Sequence, residues 1–153
     1  MLKLQWLNCL WLLIPVLVWN AAFSSKLAHP AFKHDEAVPK WVLSLENVLR
    51  GAVMILPLLM PLRWDTLHSK VGIAVYLVGM VVYFASWIPL MVAPESAWSN
   101  SVLGFLAPAY TPLVWLVGMG LIGGWWLYLA LSVVFVAVHI GHWGQVYTLV
   151  MKN

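Results

Sequence analysis

The stretch Trp41–Leu62, with the sequence WVLSLENVLRGAVMILPLLMPL, decides the fold class of this chain. It is long enough for a helix to cross the ~30 Å hydrocarbon core of a bilayer, which takes about 20 residues. The same stretch carries Glu46, Asn47 and Arg50 within one and a half helical turns. Charged groups at this depth cost about 2.5–3.5 kcal/mol each on insertion scales, so they usually face a protein interior or a wet cavity. We therefore expect a membrane-spanning helix that carries a candidate functional site.

The composition extends this interpretation to the whole chain. Of 153 residues, 63% are hydrophobic and 8% are charged, and the mean hydropathy is +0.90. A soluble domain has about 25% charged residues. From Ser96 to Met151 there is no Asp, Glu, Lys or Arg, and that stretch is too long for one crossing. The sequence predicts an all-α, polytopic integral membrane protein, a helical bundle that forms a single domain over residues 1–153.

The apolar stretches predict five transmembrane helices. Gly123–Gly124 divides the last stretch, because both residues accept a positive φ and so favour a turn. In an alternative with four spans, Val102–Tyr110 is a re-entrant or interfacial segment, since Pro108 and Pro112 interrupt the helical pattern. The five-span interpretation places the spans at about residues 5–23, 41–62, 71–92, 102–122 and 125–150.

The distribution of charge bears on partners and on orientation. The net charge is +3, but the basic residues are scattered singly along the chain, without the run or stripe that binds a phosphate backbone. We therefore expect the partners to include the lipid bilayer and no nucleic acid. The basic residues divide almost evenly between the two sides of the membrane. Lys3 and the terminal amine directly precede the first span, which favours a cytoplasmic N-terminus.

The chain contains eleven Trp residues, an unusual number. Trp collects at membrane interfaces, where its ring is in an apolar layer and its N–H stays hydrated. Several of them lie near proposed span ends or connections, including Trp41, Trp64, Trp98, Trp126 and Trp143. The sequence therefore predicts that the Trp residues mainly form an aromatic belt.

With five spans, polar residues of the second and fifth helices converge. The second span begins and the fifth ends on the same side, and a helix rises ~1.5 Å per residue. Glu46 and Arg50 then lie roughly 8 and 14 Å inside this boundary, at depths comparable to those of two histidines in the fifth span. With four spans the convergence is lost. The predicted intramembrane pocket contains Glu46, Asn47, Arg50, His139 and His142, and it opens towards His29, His34, Asp35 and Glu36 in the preceding loop.

Three functions are compatible with this cluster. In a structural subunit, Glu46 neutralises Arg50 at i,i+4, and the histidines bind neighbouring helices or a partner. In a binding or transport protein, Arg50 receives a small anionic or amphipathic ligand, the histidines titrate near neutral pH, and Trp and Tyr form the walls. In a membrane enzyme or metal site, His139 and His142 act as bases or ligands with Glu46.

Binding or transport of a small ligand is the leading prediction, because the polar residues lie on one side of the membrane and face a polar loop. A metal site is less well supported, since zinc takes three or four ligands and no motif fixes a third one here. No catalytic residue or cofactor is indicated by a motif. Possible partners are a small-molecule ligand, a second copy of the chain or another membrane protein.

Overall fold

The computed structural model describes residues 6–26 and 38–151. Within these ranges the chain is helical, and its only β element is an isolated bridge between Asn8 and Pro61. Short 3-10 helices flank α1 at Cys9–Leu13 and Ser24–Lys26, and another, Leu56–Leu59, follows α2. The α-helices are α1 (Ile14–Phe23), α2 (Lys40–Ile55), α3 (Leu67–Val92), α4 (Val102–Tyr110), α5 (Pro112–Gly123) and α6 (Trp126–Met151).

Five helical segments of the described chain are long and apolar enough to cross a membrane. The predicted five-span helical bundle is thereby confirmed, and the architecture is that of a multi-pass membrane protein. The turn predicted at Gly123–Gly124 is present, with Gly124 in the left-handed conformation at φ 68°. The spans are Cys9–Lys26, Lys40–Leu59, Leu67–Val92, Val102–Gly123 and Trp126–Val150.

The fourth span consists of α4 and α5, of which the four-span alternative treats α4 alone as a separate short segment. Thr111 joins the two helices and keeps a right-handed helical conformation. Its N–H and its Oγ1 both donate to Ala107 O, at 3.0 and 2.8 Å. Pro112 then begins α5, at a position where its missing N–H costs nothing. The chain therefore stays helical through both prolines, and the four-span alternative is wrong.

This fourth span lies at the centre of the bundle. In an 18-residue apolar window of this span 72% of the residues are buried, against 17–28% in the corresponding windows of the other four spans. It packs most closely on α3, where Gly79 and Gly118 lie at the contact. A Cβ on Gly79 would be 2.4 Å from Trp115 N, and a Cβ on Gly118 would be 2.5 Å from Tyr76 N. The absent side chains thus let two helix backbones touch, as is common between membrane helices.

A capping box starts the third span. Thr66 Oγ1 accepts from Ser69 N, and Ser69 Oγ accepts from Thr66 N, both at 3.1 Å. These bonds satisfy two backbone donors at the helix start. We expect Thr66→Ala to lower the free energy of unfolding by about 1 kcal/mol, measured by SDS titration followed by circular dichroism. Thr148→Ala, at an exposed threonine within α6, is the control, and an equal loss in both variants would contradict the capping role.

Candidate functional site

The candidate site starts from a buried carboxylate in the second span. The inward stripe of α2 consists of Val42, Glu46, Leu49 and Val53, spaced three or four residues apart. Residues at this spacing share one helix face, so Glu46 occupies a position that is otherwise apolar. Its side chain is only 1% exposed. A carboxylate in such surroundings requires partners.

Glu46 has partners on both of its oxygens. Oε1 accepts a hydrogen bond from Nη2 of Arg50, one turn further along α2, and lies 2.9 Å from His139 Nδ1. Oε2 is hydrogen-bonded to Nδ1 of His142. The contact between α2 and the C-terminal half of α6 that the five-span interpretation predicts is therefore present. We refer to Glu46, Arg50, His139 and His142 as the Glu46 cluster.

The four members of the Glu46 cluster differ in exposure. The side chains of Glu46 and His142 are 1% and 3% exposed, whereas those of His139 and Arg50 are 16% and 46% exposed. The cluster is thus buried at Glu46 and His142 and accessible at Arg50. A bound molecule would reach Arg50 and His139 first.

Asn47 lies outside the Glu46 cluster, and its role in ligand binding stays a prediction. Its side chain is exposed. One residue along a helix turns the side chain by about 100°, so Asn47 leaves the face that carries Glu46 and Arg50. The loop residues towards which the pocket is predicted to open, His29, His34, Asp35 and Glu36, lie outside the described residues.

A cavity of about 320 Å³ adjoins the Glu46 cluster. Arg50 and His139 form part of its wall, while Glu46 and His142 are not among the lining residues. All six α-helices contribute to the lining, and aromatic side chains predominate. The aromatic residues include Trp19, Tyr83, Trp87, Trp115, Phe135 and Trp143.

Ring stacking fixes the orientation of both histidines. Phe135 stacks on His139 with ring centroids 5.4 Å apart, and Trp143 stacks on His142 at 5.1 Å. Each imidazole is therefore held between an aromatic face and the Glu46 carboxylate. Stacked aromatic pairs of this kind contribute about 0.5–1.5 kcal/mol beyond the area that they bury.

The cavity has aromatic walls, but sequence reasoning missed which rings form them. Trp143 is predicted to belong to the interfacial belt, but it lines the cavity. Trp41, Trp64, Trp98 and Trp126 are 50–74% exposed, as an interfacial belt requires. Position in the sequence could have identified two of the rings in the cavity wall, because Trp19 and Trp115 lie inside spans rather than at their ends.

The polar groups around the cavity are mainly hydrogen-bond donors. Tyr83 OH donates to Asn20 Oδ1 at 3.2 Å, so the amide of Asn20 keeps its NH₂ for other partners. Trp115 Nε1 is buried and has no hydrogen-bond acceptor among the described residues. With the Arg50 guanidinium, the amide of Asn20 favours a ligand that supplies acceptors.

The arrangement allows anion binding at Arg50 and proton exchange at His139, since a histidine next to a carboxylate is a common acid–base pair. Within residues 6–26 and 38–151, no group of three or more His, Cys, Asp or Glu side chains could hold a metal ion. Comparisons of the chain with models of known protein families, with curated proteins and with solved structures gave no match.

Proposed function

We propose that this chain binds or transports a small amphipathic anion in its aromatic cavity. One observation carries the proposal: the Arg50 guanidinium lines an intramembrane cavity of about 320 Å³ and is held there by the buried Glu46. A charge inside a membrane span is costly and commonly marks a substrate or ion pathway. Glu46 has two further partners on α6, so its own burial does not depend on Arg50 alone.

The walls of the cavity support a particular chemical class of ligand. Pockets for small molecules measure about 300–1,000 Å³ and are lined mostly by apolar and aromatic side chains with a few polar groups. This cavity has that character. The planar fork of an arginine matches the two oxygens of a carboxylate or a phosphate. The proposed ligand therefore has a flat apolar body and one anionic head group.

The topology relates the cavity to one end of the bundle. The cavity lies in the half of the bundle where the first, third and fifth spans end, because its lining includes Ser24, Met91 and Trp143. The first span begins at the opposite side of the bundle. An orientation with this opposite side in the cytoplasm, as proposed from Lys3 in the sequence, would place the cavity nearer the non-cytoplasmic face.

Binding of 2-naphthoate tests this proposal. We expect the protein in nanodiscs to bind this probe in calorimetric titrations after subtraction of empty nanodiscs. Arg50→Ala should weaken binding about 10–100-fold, since a charge-assisted hydrogen bond contributes about 1.5–3 kcal/mol. Arg50→Lys should restore part of the affinity because it keeps the charge.

Two controls accompany the 2-naphthoate titration. Arg63→Ala removes an exposed arginine that follows the second span at the other end of the bundle, and its affinity should equal that of the wild type. The uncharged naphthalene-2-carboxamide should bind Arg50→Ala and the wild type within about threefold, because it lacks the charge that Arg50 recognises. Equal loss of both probes in Arg50→Ala, or no loss of either, would contradict a role in anion recognition.

A membrane enzyme is the second candidate, and the position of His139 favours it. His139 lies on the cavity wall and its Nδ1 lies 2.9 Å from Glu46 Oε1, an arrangement in which the carboxylate orients an acid–base catalyst. This candidate predicts conversion of a bound ester such as 2-naphthyl acetate, with loss of turnover in His139→Asn. Binding of the ester without turnover would favour the first candidate.

A further inference from the structure

We infer that the anion is bound together with one proton, which the Glu46 cluster takes up on a histidine. This inference rests on the proposed function, because it requires an anion at Arg50. It adds a second ligand, the proton, and a ratio of one proton per anion. The proton comes from bulk water and adds to an imidazole nitrogen, so no other bond forms or breaks.

The charge balance of the Glu46 cluster favours uptake of a proton when an anion binds. With Glu46 ionised, Arg50 cationic and both histidines neutral, the cluster has no net charge. An anion that binds Arg50 adds one negative charge to a cavity that is lined mainly by apolar and aromatic side chains. Uncompensated charge in such low-dielectric surroundings is strongly unfavourable. Protonation of one histidine restores neutrality.

The geometry of the Glu46 cluster allows His139 to replace Arg50 as the partner of Glu46. Glu46 Oε1 is shared between Arg50 Nη2 and His139 Nδ1. If Arg50 turns towards a bound anion, His139 can take over this oxygen as a charged donor, since both nitrogens of a protonated imidazole donate. His142 already occupies Oε2. The carboxylate therefore retains a hydrogen bond on each oxygen throughout the exchange.

Few other ionisable groups face this cluster within residues 6–26 and 38–151. In this part of the chain the ionisable groups that contact Glu46 are Arg50 on α2 and His139 and His142 on α6. Across the cavity α3 contributes Tyr83, whose hydroxyl donates to Asn20 of the first span. The lining residues of α4 and α5 carry no acidic or basic side chain. Of these groups, histidine is the one whose charge changes between about pH 5 and 8.

Simultaneous binding of the anion and the proton makes the loaded site electrically neutral. The cargo is then equivalent to a weak acid that enters as its conjugate base and a proton. A protein that releases both on the other side of the membrane would be driven by a proton gradient. The site therefore handles a monovalent organic anion together with a proton.

Proton uptake on binding tests the inference directly. Calorimetric titration with 2-naphthoate at about pH 7.5, in buffers of different ionisation enthalpy, gives the number of protons bound per anion. The carboxyl group of 2-naphthoate stays ionised at this pH and at the two further pH values compared next. We expect uptake of about 0.5–1 proton by the wild type, and an affinity about tenfold lower at about pH 8.5 than at about pH 6.5.

Glu46→Gln is the decisive variant. Without the glutamate charge, Arg50 and a bound anion are already neutral together, so proton uptake should fall close to zero and the affinity should become independent of pH. Should Glu46→Gln fail to fold, the double variant His139→Asn and His142→Asn replaces it, and this variant should also lose uptake. Arg63→Ala is the control and should show wild-type uptake.

The possible failures can be told apart. Arg50-dependent binding of 2-naphthoate without proton uptake would overturn the inference and leave the proposed function in place. Uptake that persists in Glu46→Gln and in the double histidine variant would also overturn it, because the proton would then reside elsewhere. Absence of Arg50-dependent binding would overturn the proposed function, and the inference with it.

Discussion

Replacing Glu46 by alanine is expected to lower the free energy of unfolding by about 2–3 kcal/mol. The buried carboxylate is the acceptor that Arg50, His139 and His142 share, and it joins α2 to α6. Breaking a fully buried ion pair costs about 3–5 kcal/mol. The expected loss is smaller here because Arg50 is 46% exposed and can turn towards the cavity.

Unfolding by SDS titration in mixed micelles, followed by circular dichroism, measures this loss. Glu46→Gln keeps one acceptor oxygen and should lose about half as much. Glu95→Ala removes an exposed carboxylate between α3 and α4, and it should stay within about 0.5 kcal/mol of the wild type. A Glu46→Ala variant as stable as Glu95→Ala would show that the carboxylate does not hold the two helices together.

The second large effect is expected at the contact between α3 and α5. A Cβ on Gly118 would lie 2.5 Å from Tyr76 N and 2.6 Å from Tyr76 Cα. These are backbone atoms, so the contact can be relieved only by moving the two helices apart. We expect Gly118→Ala to lower the free energy of unfolding by about 2–3 kcal/mol, at the upper end of overpacking effects.

Matched glycines provide the control for Gly118→Ala. Gly51 in α2 and Gly144 in α6 have no atom within 4 Å of a built Cβ. Alanine at either position should leave the stability unchanged or raise it by up to about 1 kcal/mol, since alanine is the better helix former. Because α3 carries Tyr83 and α5 carries Trp115, we also expect Gly118→Ala to weaken 2-naphthoate binding. Equal stability of the three variants would contradict the close contact.

The spans could be predicted because the signal is local. Twenty apolar residues in sequence are enough to identify a crossing, and Gly123–Gly124 supplies the turn between the last two. The prolines at 108 and 112 left the span count open in the sequence. The structure decided it through Thr111, whose hydrogen bonds to Ala107 keep the chain helical.

The contact between Glu46 and His139 could be predicted from span count and helical rise. Both residues lie a similar number of turns from the same side of the membrane, and few other polar groups occur at that depth. The depth argument does not specify which helix face points inward. It therefore grouped Asn47 with Glu46, although about 100° of helical rotation separates adjacent side chains.

The sequence alone determined that the chain is a bundle of membrane-spanning helices, and it predicted that the polar residues of the second and last helices meet if there are five. Length, hydropathy and periodicity are properties of each segment by itself. Only the tertiary structure decided that the fourth span is central and that Trp19, Trp115 and Trp143 enclose a cavity. The physical reason is that lipid tails are as apolar as the core of the bundle. Hydrophobicity therefore does not distinguish the buried faces, and close packing at glycines and aromatic rings selects them.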